Sequence, residues 1–220
     1  MAPIICGSGD PLGPDNAEYT RPFRAVKASD PIAIFNDKQG TEKPLFLDLT
    51  GIDTENYGIA VSEGWRTQKS CLEWGFETRP ARSPSMEIPY NEEVFTVVLA
   101  GIKEIYLAVG EADGNGFAAT TSTEDRGPSA AVTIEDITLK PNDPKLCFCE
   151  YARLKSLWGG KTTYLSLTGN ASDGWGLRWV EEQECDLKAS SWKIKHGNDW
   201  LGTGVRSVGF DPDQFPPKNY

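Results

Sequence analysis

The residues of this 220-residue chain best suited to chemistry lie in one short polar turn, Gly169-Asn170-Ala171-Ser172-Asp173-Gly174-Trp175-Gly176. A tryptophan between two glycines has few sequence neighbours to cover it, and Asn170 and Asp173 supply donors and acceptors beside it. A flat ring next to such groups suits sugar recognition, because the ring can lie on a CH face while amide and carboxylate meet hydroxyls. Two further turns hold the same ingredients, Asp53, Asn56 and Tyr57 in one and Asp113, Asn115 and Phe117 in the other. The competing reading is structural. The aromatics then fold back onto the protein, and Gly, Asn and Asp serve only the backbone of the turns. Asn170-Ala171-Ser172 would also be a glycosylation acceptor in a secreted chain.

Other chemistries find less support. Nucleophile–base catalysis normally needs a histidine, and the single one, His196, reads as a surface residue in Lys195-His196-Gly197-Asn198-Asp199. No Gly-x-Ser-x-Gly elbow is present. The 32 Asp and Glu residues leave a carboxylate pair for glycoside hydrolysis open, but no activity is expected from the pattern. Glu111 to Gly116 resembles half of a calcium loop, yet its twelfth position is Ser122 where a bidentate Glu belongs. Five cysteines, Cys6, Cys71, Cys147, Cys149 and Cys185, with one histidine make a poor zinc set, and free thiols are expected. Neither a metal nor a cofactor is expected. A different class is offered by Thr78-Arg79-Pro80-Ala81-Arg82-Ser83-Pro84-Ser85, where prolines favour an extended loop and Arg82-Ser83 is the bond a trypsin-like protease would attack. A protease inhibitor presenting residues 78–85 is therefore the alternative function, and Glu124 to Pro128 is a weaker loop of the same kind.

The elements that must carry these turns repeat. Lys43 to Leu49, Lys103 to Val109 and Lys161 to Leu167 share one pattern, and their aromatics Phe46, Tyr106 and Tyr164 are 60 and 58 positions apart. Each copy runs into a polar turn and then a second apolar run at Ile59-Ala60-Val61, Phe117-Ala118-Ala119 or Leu177-Arg178-Trp179, which reads as a hairpin. A third alternation follows at Leu72, Trp74 and Phe76, at Val132 and Ile134, and at Trp192 and Ile194. Before each Lys stands another strand candidate: Ile32 to Phe35, Phe95 to Leu99 and Leu154 to Trp158. Arg153 to Leu157 has some helical composition, but Trp158-Gly159-Gly160 ends it at once. No helix competes elsewhere, so an all-β fold of three four-stranded units is expected.

This pattern resembles the β-trefoil superfamily, which includes ricin-B-type and fungal lectins, fascin-like actin bundlers, Kunitz-type inhibitors and cytokines. The residues carrying the resemblance are the Gly-x-Lys steps Gly101-Ile102-Lys103 and Gly159-Gly160-Lys161, with the aromatic-Leu-x-aliphatic runs after them. The first copy has Thr41-Glu42-Lys43 instead, and the Gln-x-Trp signature of ricin-B lectins is absent. The resemblance implies a β-trefoil-like fold with pseudo-threefold symmetry; a β-prism is the alternative. It further implies core layers from Leu47, Leu107 and Leu165 and from Trp74, Ile134 and Trp192.

The expected organisation is one domain over residues 1–220. It comprises an irregular arm at 1–20, repeat units at 21–80, 81–140 and 141–200, and a closing strand with a Pro-rich tail at 201–220. A formal net charge of −10 disfavours nucleic acid and anionic lipid, and the longest mainly apolar run, Phe95 to Ile102, is far short of a bilayer span. The start Met1-Ala2-Pro3-Ile4-Ile5-Cys6 lacks a basic signal-peptide region, so a cytoplasmic location is expected. The leading function is a lectin binding glycans or glycoconjugates, with a homo-oligomer left open and a fascin-like scaffold as a third class.

Overall fold

The computed structural model describes residues 24–37, 43–63, 73–78, 83–100, 103–112, 116–123, 127–137, 144–170 and 172–197. The expected arm at 1–20 and tail at 201–220 lie outside them, as do Arg82, Asp113 and Asn115. The strands are β1 (Ile32–Asn36), β2 (Leu45–Thr50), β3 (Gly58–Glu63), β4 (Trp74–Thr78), β5 (Glu93–Ala100) and β6 (Lys103–Ala112). They continue with β7 (Phe117–Ser122), β8 (Ala131–Asp136), β9 (Tyr151–Trp158), β10 (Lys161–Asn170), β11 (Gly174–Glu181) and β12 (Trp192–His196). The all-β expectation holds. In β9, Ala152, Leu154 and Ser156 are buried while their neighbours are less so, a period of two that makes Arg153 to Leu157 strand despite its helical composition.

The pairing corrects the expected β-trefoil-like fold of three equivalent four-stranded units: all-β holds, but the sheet closes as a nine-strand barrel with extra strands. All ladders belong to one antiparallel 12-stranded sheet, which also excludes the separate sheets of a prism. The sheet closes through nine strands, β10, β11, β7, β6, β5, β4, β1, β12 and β9, with β2, β3 and β8 outside that ring. The physical reason is unequal pairing between the hairpins. β7 and β11 share a short ladder at Ala118↔Arg178 and Phe117↔Trp179, whereas the described partner of β3 is β2 alone. Register differs too. Gly75 and Lys193 stand opposite Val97 and Phe35, but at the comparable place opposite Lys155 the residue is Thr133, two positions short of the one the repeat spacing points to.

Threefold character does survive inside the molecule. Leu47, Leu107 and Leu165, and Trp74, Ile134 and Trp192, are all fully buried in a single core cluster, as their spacing indicates. The buried indoles are satisfied: Trp74 Nε1 donates to the Leu47 carbonyl (3.2 Å) and Trp192 Nε1 to that of Leu165 (2.8 Å). A ring of main-chain bonds joins Val26, Ile88 and Leu146, the amide of Val26 donating to Leu146 (2.8 Å), Leu146 to Ile88 (2.9 Å) and Ile88 to Val26 (2.8 Å). These three residues fall in segments that carry no alternation to betray them.

A smaller cluster of Phe95, Val97, Tyr106, Ala108 and Ala130 covers the outer face of β5 and β6. On β9 and β10 that face is polar. The Arg153 guanidinium stacks 3.3 Å from the Tyr164 ring centroid, and Glu135 accepts from the Tyr164 hydroxyl at 3.3 Å. Burial first, then the Glu135 carboxylate, push the Tyr164 hydroxyl up to about 12. Tyr164 in the unfolded chain ionises near 10. The folded protein then holds a proton that the unfolded chain has lost, so stability present below pH 10 falls as pH rises toward 12. The expected result is a loss of stability over that window that Tyr164→Phe reduces, read from urea unfolding at successive pH values.

Cysteine usage departs from expectation. Cys147 and Cys185 are free, but Cys149 is disulfide-bonded. No helix among the described residues is long and apolar enough to cross a membrane.

Candidate functional site

The third hairpin brings Asn170, Asp173 and Trp175 together at one tip. β10 ends at Asn170 and β11 begins at Gly174, and the ladder pairs Asn170 with Gly174 and Gly169 with Trp175. Asn170 and Asp173 are exposed, and their polar atoms turn on each other. The Asn170 amide donates to Asp173 Oδ2 (2.7 Å), while Asn170 Oδ1 accepts from the Ser172 and Asp173 amides at 2.8 and 3.1 Å. This is an Asx turn, chosen by Asn because its short side chain can replace a backbone acceptor. Gly169 is required beside it: its φ is +80°, and a Cβ there would lie 2.2 Å from the Gly174 carbonyl oxygen.

Trp175 is half-buried against the main core, with its Nε1 covered and without an acceptor among the described residues. The ring is thus neither free in solvent nor satisfied in the core. Tyr57 and Phe117 have the same half-buried packing. Each of these aromatics folds back onto the barrel and keeps an exposed portion.

The three aromatics do not converge on one pocket. Phe117 pairs with Trp179, which is four residues along β11 from Trp175, a separation of roughly 13 Å at strand rise. Tyr57 lies on the other neighbour, its carbonyl accepting from Thr121 Oγ1 at 3.1 Å. The hairpins therefore present separate corners. At the first, Asn56 is exposed, and Asp53 lies in a three-residue 3-10 turn, Ile52–Thr54. At the second, Asp113 and Asn115 are outside the described residues, leaving Phe117.

The first corner also holds a pair that the turn pattern does not signal. Lys103 Nζ reaches Glu55 Oε2 at 2.5 Å, which lowers the Glu55 carboxyl and raises the Lys103 ammonium, chiefly through that hydrogen bond. Glu55 itself has φ +55°, the residue closing the 3-10 turn. Lys103 lies far from it in sequence, at the start of β6, so only the fold could reveal the contact.

The other sequence candidates behave differently. Ser83 is exposed, but the chain turns at once, with the Met86 amide donating to the Ser83 carbonyl at 2.8 Å and the Ser29 amide to that of Pro84 at 3.1 Å. The segment Ser83 to Met86 is therefore bent and tied down, unlike the extended run its prolines suggest. His196 is partly buried, not a loose surface residue, with its ring 5.4 Å from Phe148 and Nε2 3.8 Å from Asp30. Among the described residues no group of three or more His, Cys, Asp or Glu could hold a metal ion.

Comparison with known proteins agrees on fold only. No family model matches the chain, and no curated protein matches it. An SDF2-like protein from Arabidopsis thaliana superposes with a TM-score of 0.54 at 8% identity, over 78% of this chain and 94% of that one. The receptor-binding domain of botulinum neurotoxin D gives 0.53 at 13% identity, over 78% of this chain and 41% of that one. The S. cerevisiae protein O-mannosyltransferase Pmt1-Pmt2 complex bound to the sugar donor gives 0.57 at 11% identity, over 83% of this chain and 27% of that one. The chain thus spans under half of the toxin domain and about a quarter of the transferase chain. These neighbours are β-trefoil-type folds, and the chain is similar to them in fold at low identity, with its own nine-strand closure.

Proposed function

We propose that this protein binds carbohydrate at the hairpin corners of its barrel, with the corner of Asn170, Asp173 and Trp175 as the principal site. The observation that carries the reading is Trp175: a partly exposed indole at the hairpin tip that also carries the exposed Asn170 amide and Asp173 carboxylate. Sugar recognition uses such a ring as a platform and nearby polar groups as hydroxyl partners. The Asn170–Asp173 bond fixes both groups before a ligand arrives, which lowers the ordering cost of binding. Support of a coarser kind comes from the solved neighbours, which include a toxin receptor-binding domain and a mannosyltransferase complex bound to its sugar donor. Tyr57 with Asn56, and Phe117, would be secondary corners of the same type.

The test is a glycan array probed with the wild type and Trp175→Ala. Signal for a defined group of glycans, reduced at least tenfold in the variant, is expected for a central aromatic anchor worth about 1.4 kcal/mol or more. Equal binding by both proteins removes the assigned corner, and an array blank for the wild type removes the function.

A further inference from the structure

Asn170-Ala171-Ser172 is the one place in the chain where an asparagine is followed, two residues on, by Ser or Thr, and the residue between is not proline. That is the acceptor pattern for an N-linked glycan. Three residues fall into such a pattern by chance in many chains, so placement in the fold has to decide what it is worth. An acceptor inside a sheet or core has no room for an oligosaccharide. Asn170 instead ends β10 at the tip of the third hairpin, where Asn170, Ser172, Asp173 and Gly174 are all exposed.

The hydrogen bonds of the tip leave the reacting atom available. An amide nitrogen has two hydrogens to donate, and the one bond that Asn170 Nδ2 makes among the described residues goes to Asp173 Oδ2 at 2.7 Å. The turn is held through the other end of the side chain. Asn170 Oδ1 accepts from the Ser172 amide (2.8 Å), the Ser172 hydroxyl (2.6 Å) and the Asp173 amide (3.1 Å). A sugar on Nδ2 therefore replaces a hydrogen that the turn does not use and leaves these bonds in place. A second, separate observation concerns the compartment: Cys149 is disulfide-bonded. Disulfides form and persist where exported chains are made and are rare in the reducing cytosol. An N-linked glycan belongs to the same exported class of protein.

We propose that this chain is exported through an oxidising compartment and carries an N-linked glycan on Asn170. In the transfer, Asn170 Nδ2 forms a bond to C1 of the first sugar of a lipid-diphosphate-linked oligosaccharide. The bond from C1 to the diphosphate oxygen breaks, the lipid diphosphate leaves with the electron pair, and the amide gives up one proton to the transferase that brings donor and chain together. Nothing is oxidised or reduced. Ser172 is a positioning residue, its hydroxyl on the Asn170 carbonyl oxygen. The proposal departs from the cytoplasmic location expected from the first six residues, and it does not rest on the sugar-binding reading. A modified Asn170 is no longer available to a free glycan, so the two roles belong to two forms of the protein. Glycan binding is read on protein made in a bacterial cytosol without the transferase, and attachment is read as mass, so either can fail while the other stands.

The test is peptide mass mapping of the whole protein isolated from its native source, before and after an amidase that releases N-linked glycans and turns the asparagine that carried them into aspartate. The peptide containing Asn170 should bear the mass of an oligosaccharide before release and the mass of the aspartate form after it. Expressed behind a cleavable leader in a secretory host, the wild type and Ser172→Thr should carry the glycan, and Asn170→Gln and Ser172→Ala should show the unmodified mass. Ser172→Ala keeps the backbone amides of residues 172 and 173 on Asn170 Oδ1, so its loss of the glycan cannot be laid to an unformed turn. Alkylation of the native-source protein, denatured without reductant, should label Cys147 and Cys185, which are free, and leave Cys149 unlabelled. The proposal is overturned if Asn170 of the native-source protein is unmodified, if Ser172→Ala still carries the glycan, or if Cys149 is labelled without reductant.

Discussion

Trp179→Ala is expected to lower the free energy of unfolding by about 3–5 kcal/mol, the usual cost of emptying a large aromatic site in a core. Trp179 is fully buried, and its position explains why it should lie at the upper end. Its Nε1 donates to the Ala108 carbonyl at 3.1 Å, tying β11 to β6 across the intervening β7, and its backbone pairs with Phe117 on β7 and with Leu165 on β10. Alanine therefore leaves a cavity and a buried carbonyl without its donor, and the latter adds about 1–3 kcal/mol of its own. Trp179→Phe separates the two effects, keeping most of the ring volume while losing the hydrogen bond. With total stabilities of small domains near 5–15 kcal/mol, the Ala variant should have a far lower urea midpoint than the wild type, with Phe in between. A midpoint for Trp179→Ala within error of the wild type would falsify the assignment of this residue to the closure.

That closure shows where sequence reading succeeds and where it stops. Leu47, Leu107, Leu165, Trp74 and Trp192 were legible because their burial follows from alternation inside a strand and recurrence between copies, both local properties of sequence. The turn at Asn170 to Gly174 was legible for the same reason, since Asn and Gly there answer to backbone geometry within a few residues. Pairing between hairpins is another matter. That β7 bonds β11 while β3 has no comparable ladder among the described residues depends on how residues some 60 positions apart fit one another, and nothing in either strand alone encodes it. The register of Thr133 against Lys155 is equally silent, since a shift of two residues preserves the inward–outward pattern. The ring of Val26, Ile88 and Leu146 escaped because isolated bridges leave no periodic trace. At the site the same division holds. The residues of one turn were visible together, whereas the Glu55–Lys103 pair exists only after the strands have been laid side by side.

Gly169→Ala should cost more than Gly159→Ala although both glycines have positive φ, +80° and +58°. Left-handed backbone is a penalty they share, about 1–2 kcal/mol for a residue with a Cβ. Gly159 lies in the two-residue turn between β9 and β10, where a Cβ would meet nothing within 4 Å, so that penalty is the whole of its expected effect. At Gly169 the added atom would stand 2.2 Å from the Gly174 carbonyl oxygen, a backbone atom that cannot swing aside as a side chain can. Relief requires β10 and β11 to part at their tip, where the Asn170 side chain organises the turn through Ser172 and Asp173. The variant is thus expected to lose at least about 1 kcal/mol beyond Gly159→Ala in urea unfolding, the scale at which local backbone strain is stored. It should also lose glycan binding at the Trp175 corner, which Gly159→Ala leaves intact. Equal stabilities for the two variants would mean that the tip opens at no cost, and the preformed geometry on which the sugar-binding reading rests would then not be held by the fold.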